Sequence, residues 1–121
     1  MAATVIPSGG SSKPMSMKAQ NTQGVSWNSA KQKTAQTSWT ANKNCTVVAV
    51  MAIEGTTSYF SEIRRKFTIN NVEFSGNYIV KVSKEYVAYA EVKKGDVVSV
   101  LYEANCGSSA GTIRVEIHSN S

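Results

Sequence analysis

The residue types able to do chemistry in this chain are few, and each lacks the companions that its chemistry needs. Gly107-Ser108-Ser109-Ala110-Gly111 has the Gly-x-Ser-x-Gly spacing of a hydrolase nucleophile. That reaction requires a strand-to-helix elbow, a histidine base and an acid that orients it. The single histidine, His118, lies about one strand's length further on at ~3.3 Å per residue, and the segment between reads as strand rather than helix. The motif is therefore read as a loop joining two strands. His118 alternates with Ile117 and is expected on the outer surface.

Cys45 and Cys106 are too few for a disulfide scaffold, and neither has a second ligand at zinc spacing. Composition leaves their redox state open. Glycoside hydrolysis would need two carboxylates across a cleft. Glu85, Glu91, Asp96 and Glu103 can be paired in many ways, but charges at strand edges commonly serve to prevent edge pairing. Arg64-Arg65-Lys66 is the densest basic cluster, and strand alternation sends Arg65 to the opposite face from its neighbours. This splits the patch and argues against a nucleic-acid groove. Tyr89 and Tyr102 remain as candidates for an oligomer contact or a ligand surface, since tyrosine joins apolar area to a polar tip. No catalytic, cofactor or metal site is expected, and the chain reads as a non-enzyme.

The elements that carry these residues are strands. The 121 residues suffice for one compact domain, and 41% hydrophobic content is ample for one core. No stretch approaches the ~20 apolar residues of a membrane helix, and the N-terminus lacks the basic-then-apolar pattern of a secretory signal. Residues 45–53 are apolar on both faces and read as a central strand. Residues 58–69 alternate, with Tyr59, Ile63, Phe67 and Ile69 on one side and Arg65 breaking the apolar row. Asn70-Asn71 reads as a turn, Lys93-Lys94-Gly95-Asp96 as a hairpin, and 112–118 as the last strand, with Ile113, Val115 and Ile117 inward. The core is expected to gather Val48, Val50, Phe67, Val80, Val98, Val100, Ile113 and Val115. About seven or eight short strands without a helix indicate an antiparallel β-sandwich over residues 38–121.

Residues 1–37 differ in texture. They are rich in Ser, Thr, Asn, Gln, Gly and Lys, and every charge before Glu54 is a lysine, so the net charge of +5 belongs to this end. Such a segment buries too little apolar surface to offset its ordering entropy. It is read as an extended, polar, basic N-terminal arm that docks on other subunits through Val5, Ile6, Lys13, Met15, Met17, Lys18 and Trp27, with its first 24 residues dispensable for folding.

Three segments in order carry a family resemblance: Ser38-Trp39-Thr40-Ala41 before the central strand, Phe67-Thr68-Ile69-Asn70-Asn71-Val72 at mid-chain, and Val92 through Val100 around Lys94-Gly95-Asp96. Over about residues 37–118 the chain resembles jelly-roll domains of the C1q and tumour-necrosis-factor type and the phage fibre-tip and capsid-decoration proteins similar to them. It departs at Asn71, where that family has Gly. The resemblance implies a jelly roll that assembles as a trimer and serves display or attachment. The expectation is thus a virion structural protein of a bacteriophage, a capsid-decoration or fibre-type module at the particle surface, made in the host cytoplasm. Its partners would be its own copies and other virion proteins. The alternatives are a receptor- or carbohydrate-binding adhesin tip, with a host receptor or glycan as partner, and a nucleic-acid-binding β-barrel.

Overall fold

The computed structural model describes residues 2–5, 15–27, 31–55, 60–74, 78–82, 85–106 and 110–121. These residues contain ten strands and no helix: β1 (Ala2–Val5), β2 (Met15–Trp27), β3 (Lys31–Thr40), β4 (Cys45–Gly55), β5 (Phe60–Ile69), β6 (Val72–Glu73), β7 (Tyr78–Val82), β8 (Glu85–Val92), β9 (Val97–Cys106) and β10 (Gly111–Ser119). One sheet runs β1-β2-β10-β4-β8-β7 and the other β3-β9-β5-β6. With the edge strands β1 and β7 set aside, β2-β10-β4-β8 faces β3-β9-β5-β6. That is the strand order of a jelly roll, two interlocked Greek keys. The all-β sandwich expected from the strand pattern is present.

The phase of the central strand is set by its neighbour. Ile113, Val115 and Ile117 of β10 point between the sheets, and the antiparallel register places them opposite Ile53, Met51 and Ala49 of β4. The inner face of β4 is therefore Cys45, Val47, Ala49, Met51 and Ile53, which meet Phe67, Val98, Val100 and Tyr102 from the other sheet in the main core. Val48 and Val50 are buried as expected, but on the opposite face, where they form a separate cluster with Met17, Val87 and Tyr89. A strand that is apolar on both faces carries no phase of its own. The side chain of Val80, on β7, is outside the described residues.

The largest correction concerns the segment read as an arm. β2 is a strand of the protein's own sheet, paired with β10 from Lys18 to Trp27, and β1 pairs with β2 in turn. The sandwich therefore begins by Met15 and not at residue 38. Met17 and Trp27 are enclosed by their own chain and do not anchor a partner. Val5 and Met15 are backbone register partners in the β1–β2 ladder, with their side chains outside the described residues, Lys18 is exposed, and Ile6 and Lys13 lie outside the described residues. A physical reason for a polar strand here is visible in the contacts. β3 is an edge strand, and Asn21 Nδ2 donates to the Ser38 carbonyl while the Gln36 N–H donates to Gln23 Oε1. The amide side chains of β2 thus satisfy the open edge of β3 and stitch the two sheets together.

Trp27 closes the end of this seam. A Cβ added at Gly111 would lie 2.5 Å from the Glu54 carbonyl oxygen and 2.7 Å from the Trp27 ring, so only glycine admits that ring against β10. Deleting residues 1–24 should therefore unfold the protein rather than trim it. The deletion removes most of β2, uncovers one side of β10 and releases the β3 edge, a loss above the ~5 kcal/mol that sets the low end of domain stability. The truncated chain is expected to lose the dispersed amide spectrum that full-length protein shows; a truncated chain with an unchanged spectrum would contradict the placement of β2.

Candidate functional site

At one end of the sandwich three loops are tied into a unit. Asn70 and Asn71 both take positive φ, 52° and 67°, giving the left-handed pair that a tight β5–β6 hairpin requires, so Asn71 serves where the resemblance leads one to expect Gly. Gly95 has φ 93° in the β8–β9 hairpin. The Asn70 side chain donates to Asp96 Oδ1 and accepts from the Val97 N–H, while Asp96 Oδ2 accepts from the Lys93 N–H. Ala41 and Asn44 add bonds from the β3–β4 loop to Gly95 and Lys94. The Lys93 backbone N–H first, and then the Asn70 amide, hold the Asp96 carboxyl below its ordinary range.

The outer face of the six-stranded sheet carries an ionic network instead of the exposed His118 that alternation suggests. Arg114 pairs with Glu54 and Glu85, and its Nε lies 2.5 Å from Glu116 Oε2, in contact though not in line for a hydrogen bond. Glu116 Oε1 is 2.6 Å from His118 Nε2. His118 does point to this face, but only 1% of it is exposed, because the face is covered. Its Nδ1 has no partner among the described residues. The cross-strand neighbours of His118 are Ala19 and Val48, which offer no nucleophile for a Glu–His pair to activate. Ser108 and Ser109 of the Gly-x-Ser-x-Gly motif lie outside the described residues. Cys45 is a buried free thiol whose pKa is raised chiefly by burial; the side chain of Cys106 is outside the described residues. Among the described residues no cluster of His, Cys, Asp and Glu is arranged to hold a metal.

The two tyrosines read as a surface are both enclosed. Tyr102 lies in the main core, its ring edge-on to Tyr86 with centroids 6.2 Å apart. Tyr89 belongs to the Met17 cluster. Neither offers a stacking platform. The split of the basic cluster is as alternation requires: Arg64 turns outward to Glu103, while Arg65 turns inward, paired with Glu62 and 3.9 Å above the Tyr86 ring. The break that Arg65 makes in the apolar row is thus filled by a cation–π contact.

The open surface is the outer face of the four-stranded sheet. Half of it is internally satisfied, with Glu103 accepting from Thr34 and Gln32 and pairing with Arg64. The other half is a shallow depression of about 320 Å³ lined by Gln36, Lys66, Thr68, Asn71, Ser99 and Leu101. Alternation alone places Lys66 and Thr68 outward, but bringing them beside Ser99 and Gln36 takes the cross-strand register, which is why sequence reasoning missed this set. Comparison with protein-family models, curated proteins and solved structures found no match.

The Asp96 lock gives a pH dependence of definite sign. Its carboxyl titrates at about 3.9 in an unfolded chain and lower in the fold. The stabilisation is therefore complete above that pH and is lost as pH falls through the folded value. Thermal midpoints of wild type and Asp96→Ala should differ most near neutrality and converge as pH falls below the ordinary carboxylate range; a gap independent of pH would remove Asp96 from the lock.

Proposed function

We propose that this chain is a non-enzymatic structural module of a bacteriophage particle, a capsid-decoration or fibre-type unit that assembles as a homotrimer at the virion surface. The observation that carries the reading is the strand order, β2-β10-β4-β8 against β3-β9-β5-β6. It is a jelly roll, an architecture shared by viral capsid and lectin domains. The warrant is one of fold, joined to the resemblance in the three strand-turn segments, and it assigns a setting rather than a chemistry.

The construction suits a unit that must persist outside a cell. One end of the sandwich is tied loop to loop, the free edge of β3 is satisfied by β2, and Arg114 links three carboxylates on one face. Attachment through the N-terminal segment is not part of the proposal, because that segment contributes to the protein's own sheet. Contacts with copies and with other virion proteins would then use the sandwich surface itself.

Light scattering on purified protein, followed by sedimentation with intact particles, tests this directly. A solution mass three times the 13.0 kDa of the chain, together with co-sedimentation at a fixed copy number, is the expected result. A monomer that never accompanies particles would overturn the proposal.

A further inference from the structure

The four-stranded sheet presents two halves of opposite character. Glu103 accepts from Gln32 and Thr34 and pairs with Arg64, whereas Gln36, Lys66, Thr68, Asn71 and Ser99 have side chains that bond to no other described residue. We propose that this second half is a saccharide-binding site selective for a carboxylated sugar. The Lys66 ammonium takes the carboxylate, and the amides and hydroxyls of Gln36, Asn71, Thr68 and Ser99 take the ring hydroxyls.

The register supplies the geometry. Gln36, Leu101 and Lys66 stand side by side across β3, β9 and β5, and Ser99 stands beside Thr68 in the next outward-facing row. Three strands span about 10 Å, and successive outward rows are about 7 Å apart. That footprint, with a volume at the small end of ligand sites, fits one or two rigid rings rather than a polymer groove. Leu101 gives the depression an apolar floor beneath a polar rim, which matches a pyranose ring with its C–H face down and its hydroxyls outward. The backbone of the sheet is already engaged in its ladders, so recognition falls to these side chains.

Charge selects within the class. Lys66 has no carboxylate partner among the described residues, so it lacks the counter-charge that Arg64 and Arg65 have. Glu73 is the neighbour of Thr68 on β6 and lies diagonally from Lys66. An anionic ligand is therefore oriented with its carboxylate at the Lys66 end and its hydroxyls toward Asn71. A nucleic acid is a poorer fit, since one cation and no aromatic ring line the depression. The inference is independent of the virion setting and can be tested on isolated protein.

The test is an amide chemical-shift titration of the full-length chain with sialyllactose, a hyaluronan tetrasaccharide and digalacturonate, beside neutral lactose and an oligothymidylate. The expected result is saturable shifts with at least one acidic sugar, centred on residues 66–71, 99–101 and Gln36, with lactose about tenfold weaker, as one charge-assisted contact implies. Lys66→Gln should bring the acidic sugar down to the affinity of lactose, while Lys18→Gln, at an exposed position on β2 of the other sheet, leaves it unchanged. Absence of saturable binding by all three acidic sugars, equal binding of lactose, shifts centred elsewhere, an unaffected Lys66→Gln, or binding of the oligothymidylate alone would each overturn the proposal.

Discussion

The fold depends on β10 lying between the first and the third strand of the sandwich. On one side β10 pairs along its whole length with Lys18 to Trp27 of β2, and on the other with β4. Its three inward residues set the phase of β4, and through β4 the phase of β8, whose Ala88 and Ala90 face Ala49 and Val47. A slip of one residue would turn each of these faces inside out. The same strand brings the two ends of the chain together, so that the four-stranded sheet is covered only when both are in place. Trp27 over Gly111 marks where that closure ends.

Satisfaction of an edge explains why β2 looks as it does. A jelly roll leaves β3 with one unpaired side, and an unpaired strand edge invites association with other chains. Asn21 and Gln23 place amide groups against that edge, which an alternating apolar strand could not do. The polarity of β2 is thus a consequence of its position. Its apolar contribution is confined to the ends, Met17 beneath one face and Val25 and Trp27 toward the main core.

Legibility in the sequence follows the same physics. Strands whose residues alternate between apolar and polar, such as β5 and β10, are visible because alternation records which side meets the core, and the turns at Asn70-Asn71 and Gly95 are visible because few residues tolerate positive φ. β2 is not visible, since its identity comes from pairing and from side-chain bonds to β3 rather than from local propensity. The phase of β4 is hidden by its two apolar faces. His118 is on the face that alternation gives it, and only the cover over that face, which is a property of the tertiary structure, separates a buried Glu–His pair from a surface histidine. For the candidate site, Lys66 and Thr68 could be placed outward from sequence, whereas their union with Gln36 and Ser99 is a matter of register across three strands.

The central claim is that β2 is an integral strand and not an appendage, and native-state hydrogen exchange addresses it most directly. Residues that open only with the whole domain share one protection free energy, while attached segments exchange independently. The amides of β2 that face β10 are predicted to exchange with the same free energy as those of β4 and β10. Exchange of the β2 amides at the rate of an unstructured chain, with β4 and β10 still protected, would contradict the account.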